Sequence, residues 1–220
     1  MESSRMKKTT SRAAPAHYYH WYNGTDLHRV ELYKKIRDMF HRHSLRPIMY
    51  DLGCGQGFVT EYLGAVGFDI NSHAIALAKK HYPKTVFHKL DITRMDAKKL
   101  KLKKADAIVC LNVIEHIPDK LRQQFLSRIV PSLMRKDGLL IFSLQRQYYL
   151  PNYINSLIQR GTLYDPTHIH NWTVDEFKRE VGRYFHINKC FNVSGYTKFP
   201  NILKFFKSET LIVARLRKHP

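Results

Sequence analysis

The sequence predicts a doubly wound α/β fold, a mostly parallel seven-stranded sheet with helices on both faces. Three observations predict it. From residue 47 onward, strand-like and helix-like stretches alternate five times, and a further helix and two strands close the chain. Three closely spaced glycines, in Gly53-Cys54-Gly55-Gln56-Gly57, join the first strand to its helix. Asp51, Asp69, Asp91 and Asn112 each fall at the carboxyl end of a strand, where open α/β sheets take their ligands.

Size and composition bound the reading. A chain of 220 residues is one domain by the usual prior and can bury a proper core. No apolar run reaches about 18 residues, so no membrane-spanning helix is expected. Residues 1–16 read as a flexible basic tail without the apolar centre of a secretory signal, and a cytoplasmic setting is expected. Cys54, Cys110 and Cys190 stand at unrelated spacings and read as reduced thiols; no close pair supports zinc. The Asn-x-Ser/Thr sequons at Asn23, Asn171 and Asn192 carry no meaning in that setting. Lys plus Arg number 37 against 18 for Asp plus Glu, a formal charge of +19. Such a surface attracts polyanions, so weak electrostatic binding to nucleic acid or an acidic membrane face is a candidate property.

Residues 17–220 read as a single domain. His17-Tyr18-Tyr19-His20-Trp21-Tyr22 opens it with a dense aromatic cluster, a candidate lid, and a helix with an apolar face follows from Asp26; together they form an N-terminal cap over 17–45. Pro47–Tyr50 is the first strand and Phe58–Leu63 carries helical spacing. Val66–Ile70 is the second strand, and Asn71 is an N-cap for a helix from His73 to His81. Thr85–Leu90 is the third strand. The Lys98–Lys104 run, alternating Lys with Leu, reads as a charged connector. Ala105–Leu111 is nearly all apolar, a buried fourth strand. Pro118 suits the first turn of a helix over Asp119–Leu133, Asp137-Gly138 a turn, and Leu139–Leu144 the fifth strand. Residues 145–172 then lose periodicity and collect rings and histidines, the character of a substrate-side insert. Thr173-Val174-Asp175-Glu176 is a capping box for a helix to Tyr184. His186–Val193 and Glu209–Leu216 are the closing strands.

The glycine run separates two ligand classes. A dinucleotide fold wants G-x-G-x-x-G, its third glycine lying where the helix packs on the strand. Here the spacing is G-x-G-x-G, and Phe58 stands where that third glycine would be. Asp51, opening the loop, would repel a pyrophosphate but can accept a hydrogen bond from an ammonium group. Asp69 follows Gly57 by twelve positions, and its two oxygens suit a pair of ribose hydroxyls.

Asp51-Leu52-Gly53-Cys54-Gly55-Gln56-Gly57 resembles the first motif of class I S-adenosylmethionine-dependent methyltransferases. Asn112-Val113-Ile114-Glu115-His116-Ile117 resembles the fourth motif of their small-molecule branch, which holds the ubiquinone- and menaquinone-biosynthesis enzymes. The resemblance is specific over about residues 47–144. It implies a Rossmann-like methyltransferase sheet, S-adenosylmethionine as cofactor and a small-molecule acceptor methylated on oxygen or nitrogen. It implies cofactor contacts from Gly53, Cys54, Gly55, Gly57, Ile70, Leu111 and Asn112 besides Asp51 and Asp69. Asp91 and Ile92 would meet the adenine.

Methyl transfer to a hydroxyl or ammonium needs a base, and histidine is the natural one near neutral pH. His116 is the first candidate; His168 and His170, in the insert, are the others. Glu115 and His116 could position a divalent cation, as the quinone enzymes it resembles allow, but two ligands make no site, and no metal is expected. Two alternatives stay open. A nucleic-acid methyltransferase fits the charge but lacks the Asn/Asp-Pro-Pro-Tyr motif, and Cys110 has no neighbouring proline. A non-catalytic cofactor-binding protein would keep the fold, yet no motif is visibly broken.

Overall fold

β1 (Met49–Leu52) is buried along its whole length at the middle of the sheet, with β2 (Val66–Asp69) and β4 (Ala105–Leu111) on either side, both parallel to it. β3 (Phe87–Lys89) flanks β2 and β5 (Met134–Gln145) flanks β4, again parallel, while β7 (Glu209–Leu216) and β6 (Phe185–Val193) close the other side antiparallel. The order is β3-β2-β1-β4-β5-β7-β6 in a seven-stranded sheet. Chain order reverses between β1 and β4, the switch point where such sheets open a ligand crevice. This computed structural model describes residues 30–41, 47–145, 168–170, 172–193 and 209–217. The basic tail, the aromatic cluster His17–Tyr22, most of the 145–172 insert and the link from 196 to 207 lie outside the described residues.

Alternation along the strands builds two apolar layers. Tyr50, Ile108, Cys110, Leu140 and Phe142 face one layer, and Met49, Ala107, Val109 and Ile141 the other. Helix α1 (Val30–His41) covers the second layer with Tyr33 and Ile36, joined by Leu63 of α2 (Phe58–Leu63). α3 (Ser72–His81), capped by Asn71 as its position predicts, presses Ile75 and Ala78 onto Cys54 and Phe87. α4 (Asp119–Gln124), a π turn at Phe125–Ile129 and α5 (Val130–Leu133) make one rod under the first layer, so the single helix expected there is interrupted. α6 (Val174–Gly182) starts from the predicted capping box and adds Phe177 and Val181.

Three expectations shift. β1 runs two residues further than the predicted 47–50, because Asp51 and Leu52 still pair with β2. β3 shrinks to three residues at the sheet edge. The Asp137-Gly138 turn is a bulge inside β5: Ala105 pairs with Met134 but Ala107 pairs with Leu139. Lys98–Lys104 is turn and coil, the connector expected.

Candidate active site

The loop after β1 is folded by its own backbone. Gly53 and Cys54 both donate to the Phe68 carbonyl, at 2.7 and 3.0 Å, so the chain turns tightly against the end of β2. Gly57, at φ 85°, starts α2, and a Cβ there would lie 2.5 Å from the Phe87 ring. Gly55 is also left-handed, at φ 53°, yet a Cβ on it would meet nothing within 4 Å. Gly57 is thus a packing requirement, while Gly55 faces open space where a ligand can approach. Cys54 contributes backbone only; its side chain packs toward α3, and burial pushes its thiol far up, so it is not a nucleophile.

Asp51 and Asp69 flank this loop. Asp51 is buried and accepts a 2.7 Å hydrogen bond from the Thr60 hydroxyl on α2. Burial pushes its carboxyl up to about 7; the Thr60 bond works against the rise and the charge of Asp69 adds to it. Asp69 accepts from the Gly55 N–H at 2.9 Å and, through its other oxygen, from the Asn71 N–H at 2.8 Å. Burial raises its carboxyl too, opposed by those N–H groups and by the nearby charge of His116. The sequence assigned both oxygens of Asp69 to a ribose; each also holds a backbone amide, leaving lone pairs to spare. Ile70 follows, half-buried at the end of β2.

Asp91 caps a 3₁₀ turn at Ile92–Arg94, its Oδ1 accepting from the N–H and hydroxyl of Thr93. Ile92 is buried in the first apolar layer, and Leu111 is half-buried against the second. Asn112 leaves β4 at φ 53°, a conformation asparagine tolerates better than most. Ser143 of β5 holds it there: the Asn112 N–H donates to Oγ at 3.0 Å and Oγ donates to Asn112 Oδ1 at 3.0 Å. Nothing in the spacing announces Ser143, which reaches the site across the sheet from β5, or Thr60, which reaches it from α2.

The motif after Asn112 winds into a 3₁₀ turn, Ile114–His116, which buries Glu115 completely. The carbonyl of Glu115 accepts from the N–H groups of Ile169 and His170, at 2.9 and 3.1 Å, docking the distant 168–170 segment onto the turn. The His116 and His168 rings meet edge to face with centroids 4.7 Å apart. Ligand atoms of Glu115, His116 and His168 lie within 4.8 Å of one another, a carboxylate and two imidazoles at the spacing of a cation site. The sequence counted two ligands because the third is 52 residues away. His170 points elsewhere: its ring nitrogen lies against the Asp119 carboxylate, and the ring stacks on Trp172 with centroids 5.1 Å apart. Of the three candidate bases the structure brings two together and ties the third into packing.

Comparison with known proteins matches residues 50–140 to the model of a methyltransferase domain. That stretch spans the glycine loop, both acids and the motif after β4. Over that stretch, 91 of the 220 residues, the chain resembles a methyltransferase domain. The chain is 26% identical over 144 residues to a ubiquinone biosynthesis O-methyltransferase of Rickettsia akari, covering 57% of this chain and 55% of that one. It spans about half the length of the curated relatives it matches. A solved protein of Pyrococcus horikoshii shares the fold at a TM-score of 0.67 and 16% identity, covering 93% of this chain and 100% of its own. Magnesium protoporphyrin IX methyltransferase from Synechocystis, solved with bound SAM, does so at 0.62 and 14%, covering 92% of each chain. S-adenosylmethionine is the cofactor of this methyltransferase class, and the loop chemistry agrees with it.

Proposed function

We propose that this chain moves the methyl group of S-adenosylmethionine to an oxygen or nitrogen of a small-molecule acceptor. The observation that carries the reading is the meeting of His116 and His168 beside Asp69, at the same sheet edge as the glycine loop. The donor's ribose is assigned to Asp69, its ammonium group to Asp51, and its adenine to the Asp91–Ile92 corner. In-line displacement at the sulfonium needs the acceptor aligned and its proton removed. His116 or His168 takes that proton, with buried Glu115 orienting the imidazoles; His170 is assigned to packing.

The Glu115, His116 and His168 set also fits a divalent cation, which when bound would polarise an acceptor oxygen as a Lewis acid. A methyl-donor screen over acceptor pools, run with and without chelator, separates a cation-assisted site from a bare base. His116→Ala and His168→Ala are each expected to lower turnover about 10²- to 10⁴-fold while S-adenosylhomocysteine affinity barely changes. Normal turnover in both folded variants would sink the assignment. Calorimetry tests the donor site itself: tight binding of NAD with no response to S-adenosylhomocysteine would overturn it.

The finer organisation is proposed with it. Residues 17–220 act as one domain, with 17–45 as a cap and 145–172 as the acceptor-side insert. Cys54 and Cys110, free and buried, suit a cytoplasmic setting. Attraction of nucleic acid or an acidic membrane face is assigned to the basic surface, not to the chemistry.

A further inference from the structure

The segment that carries His168 has no periodicity of its own, and its meeting with His116 has to be imposed. Arg122, on α4 and only 6% exposed, touches every part that has to come together. Its Nε donates to Glu180 of α6 at 3.0 Å, and one terminal nitrogen donates to the Ile117 carbonyl at 3.1 Å. The other lies 2.8 Å from Asp119, the same carboxylate that pairs with His170. The guanidinium plane sits 4.7 Å over the Trp172 ring. Trp172 in turn lies between His170 and Phe177, stacking on both.

We infer that Arg122 is a positioning residue: its clamp on Trp172 and Asp119 locks Trp172 and residues 168–170 onto the motif after β4 and so sets His168 against His116. The inference rests on the proposed role of that histidine pair. Only a planar, forked cation can bond a carbonyl and two carboxylates in its plane while stacking a ring on its face. Without it, the segment would hang on the Ile169 and His170 amide bonds, which local opening breaks readily. The competing account is an ion pair that merely joins α4 to α6, with Glu180 shared by Arg183 at 2.9 Å.

The test uses the full chain with S-adenosylhomocysteine bound. Arg122→Lys keeps the charge and loses the fork. Arg122→Met with Glu180→Gln removes the buried pair without stranding a charge. Three quantities are read: S-adenosylhomocysteine affinity, amide exchange at Ile169 and His170, and the nuclear Overhauser contact between the His116 and His168 rings. The expected result is affinity within about twofold, exchange faster by roughly tenfold or more, and loss of the ring contact. Where an Arg122 variant does not fold, Trp172→Leu should give the same pattern and Trp172→Phe, which keeps a stacking ring, should restore it. Protected amides and an intact ring contact in the folded variants would overturn the clamp. A collapse of cofactor affinity with the ring contact retained would also overturn it, moving Arg122's influence to the donor site.

Discussion

Asp51 carries the sharpest pH signature at the scale of single residues. Its carboxyl is ordinarily near 3.8 and stands at about 7 in the folded chain, because burial penalises the charged form. The folded state therefore favours protonated Asp51. That contribution to stability is complete below about pH 4 and fades as pH rises through about 7. The cofactor-free melting temperature should fall more steeply across this window in the natural chain than in Asp51→Asn. Parallel melting curves would show that Asp51 does not titrate in this way. The donor's ammonium favours the charged form, so S-adenosylhomocysteine should bind more tightly as pH approaches 7, and Asp51→Asn should lose that trend. Asp69→Ala should weaken the same ligand by about 1–3 kcal/mol, or roughly 5- to 150-fold. Because Asp69 also holds the Gly55 and Asn71 amides, some loss of thermal stability should accompany it. An unchanged dissociation constant in a folded Asp69→Ala protein would make it a structural acid only.

The glycine loop, as an element, separates folding from binding within five residues. Gly57→Ala must fit a methyl group 2.5 Å from Phe87 at a left-handed φ, so it should destabilise the chain by more than the ~1–2 kcal/mol of backbone strain alone. Gly55→Ala has open space around it and should cost about that strain. Its methyl would stand where the donor approaches, so S-adenosylhomocysteine affinity should drop in a chain that still folds and melts above Gly57→Ala. Thermal melts and calorimetry on the pair check both arms. Equal destabilisation by the two substitutions would refute the division. The same element shows what one sequence can disclose: the strand–glycine–helix punctuation is local, whereas the reason Gly57 is required lies on β3, thirty residues away.

Charge is the property of the whole molecule that the catalytic reading leaves unused. Lys101, Lys103, Lys104, Arg135, Lys136 and Arg217 are exposed on turns and strand ends at the rim away from the glycine loop. Among the acids there, Asp106 is answered by Arg135 at 3.0 Å. Among the described residues, a polyanion at this rim would meet charge and none of the candidate bases. Binding to RNA or to vesicles of anionic lipid is therefore expected to be weak, sequence-independent and steeply salt-dependent. It should leave S-adenosylhomocysteine affinity unchanged. Competition between RNA and S-adenosylhomocysteine, or methyl incorporation into RNA at rates matching a small acceptor, would move the function toward nucleic acid.

The sequence by itself determined the fold class, the strand and helix order, the glycine loop after β1 and the acids at the strand ends. Each of these is written in short-range spacing: short apolar runs for strands, a glycine triplet, an Asn or Thr before a helix. It also named His116 and His168. Only the tertiary structure decided that these two meet while His170 is drawn into a stack with Trp172 and a contact with Asp119. Only there do Thr60 and Ser143 become the partners of Asp51 and Asn112, and only there does Asp137-Gly138 turn from a reverse turn into a bulge. The physical reason is that folding sets side chains together across elements, 31 positions apart for Asn112 and Ser143 and 52 for His116 and His168, and which of them meet depends on register and packing, for which a linear pattern carries no signal.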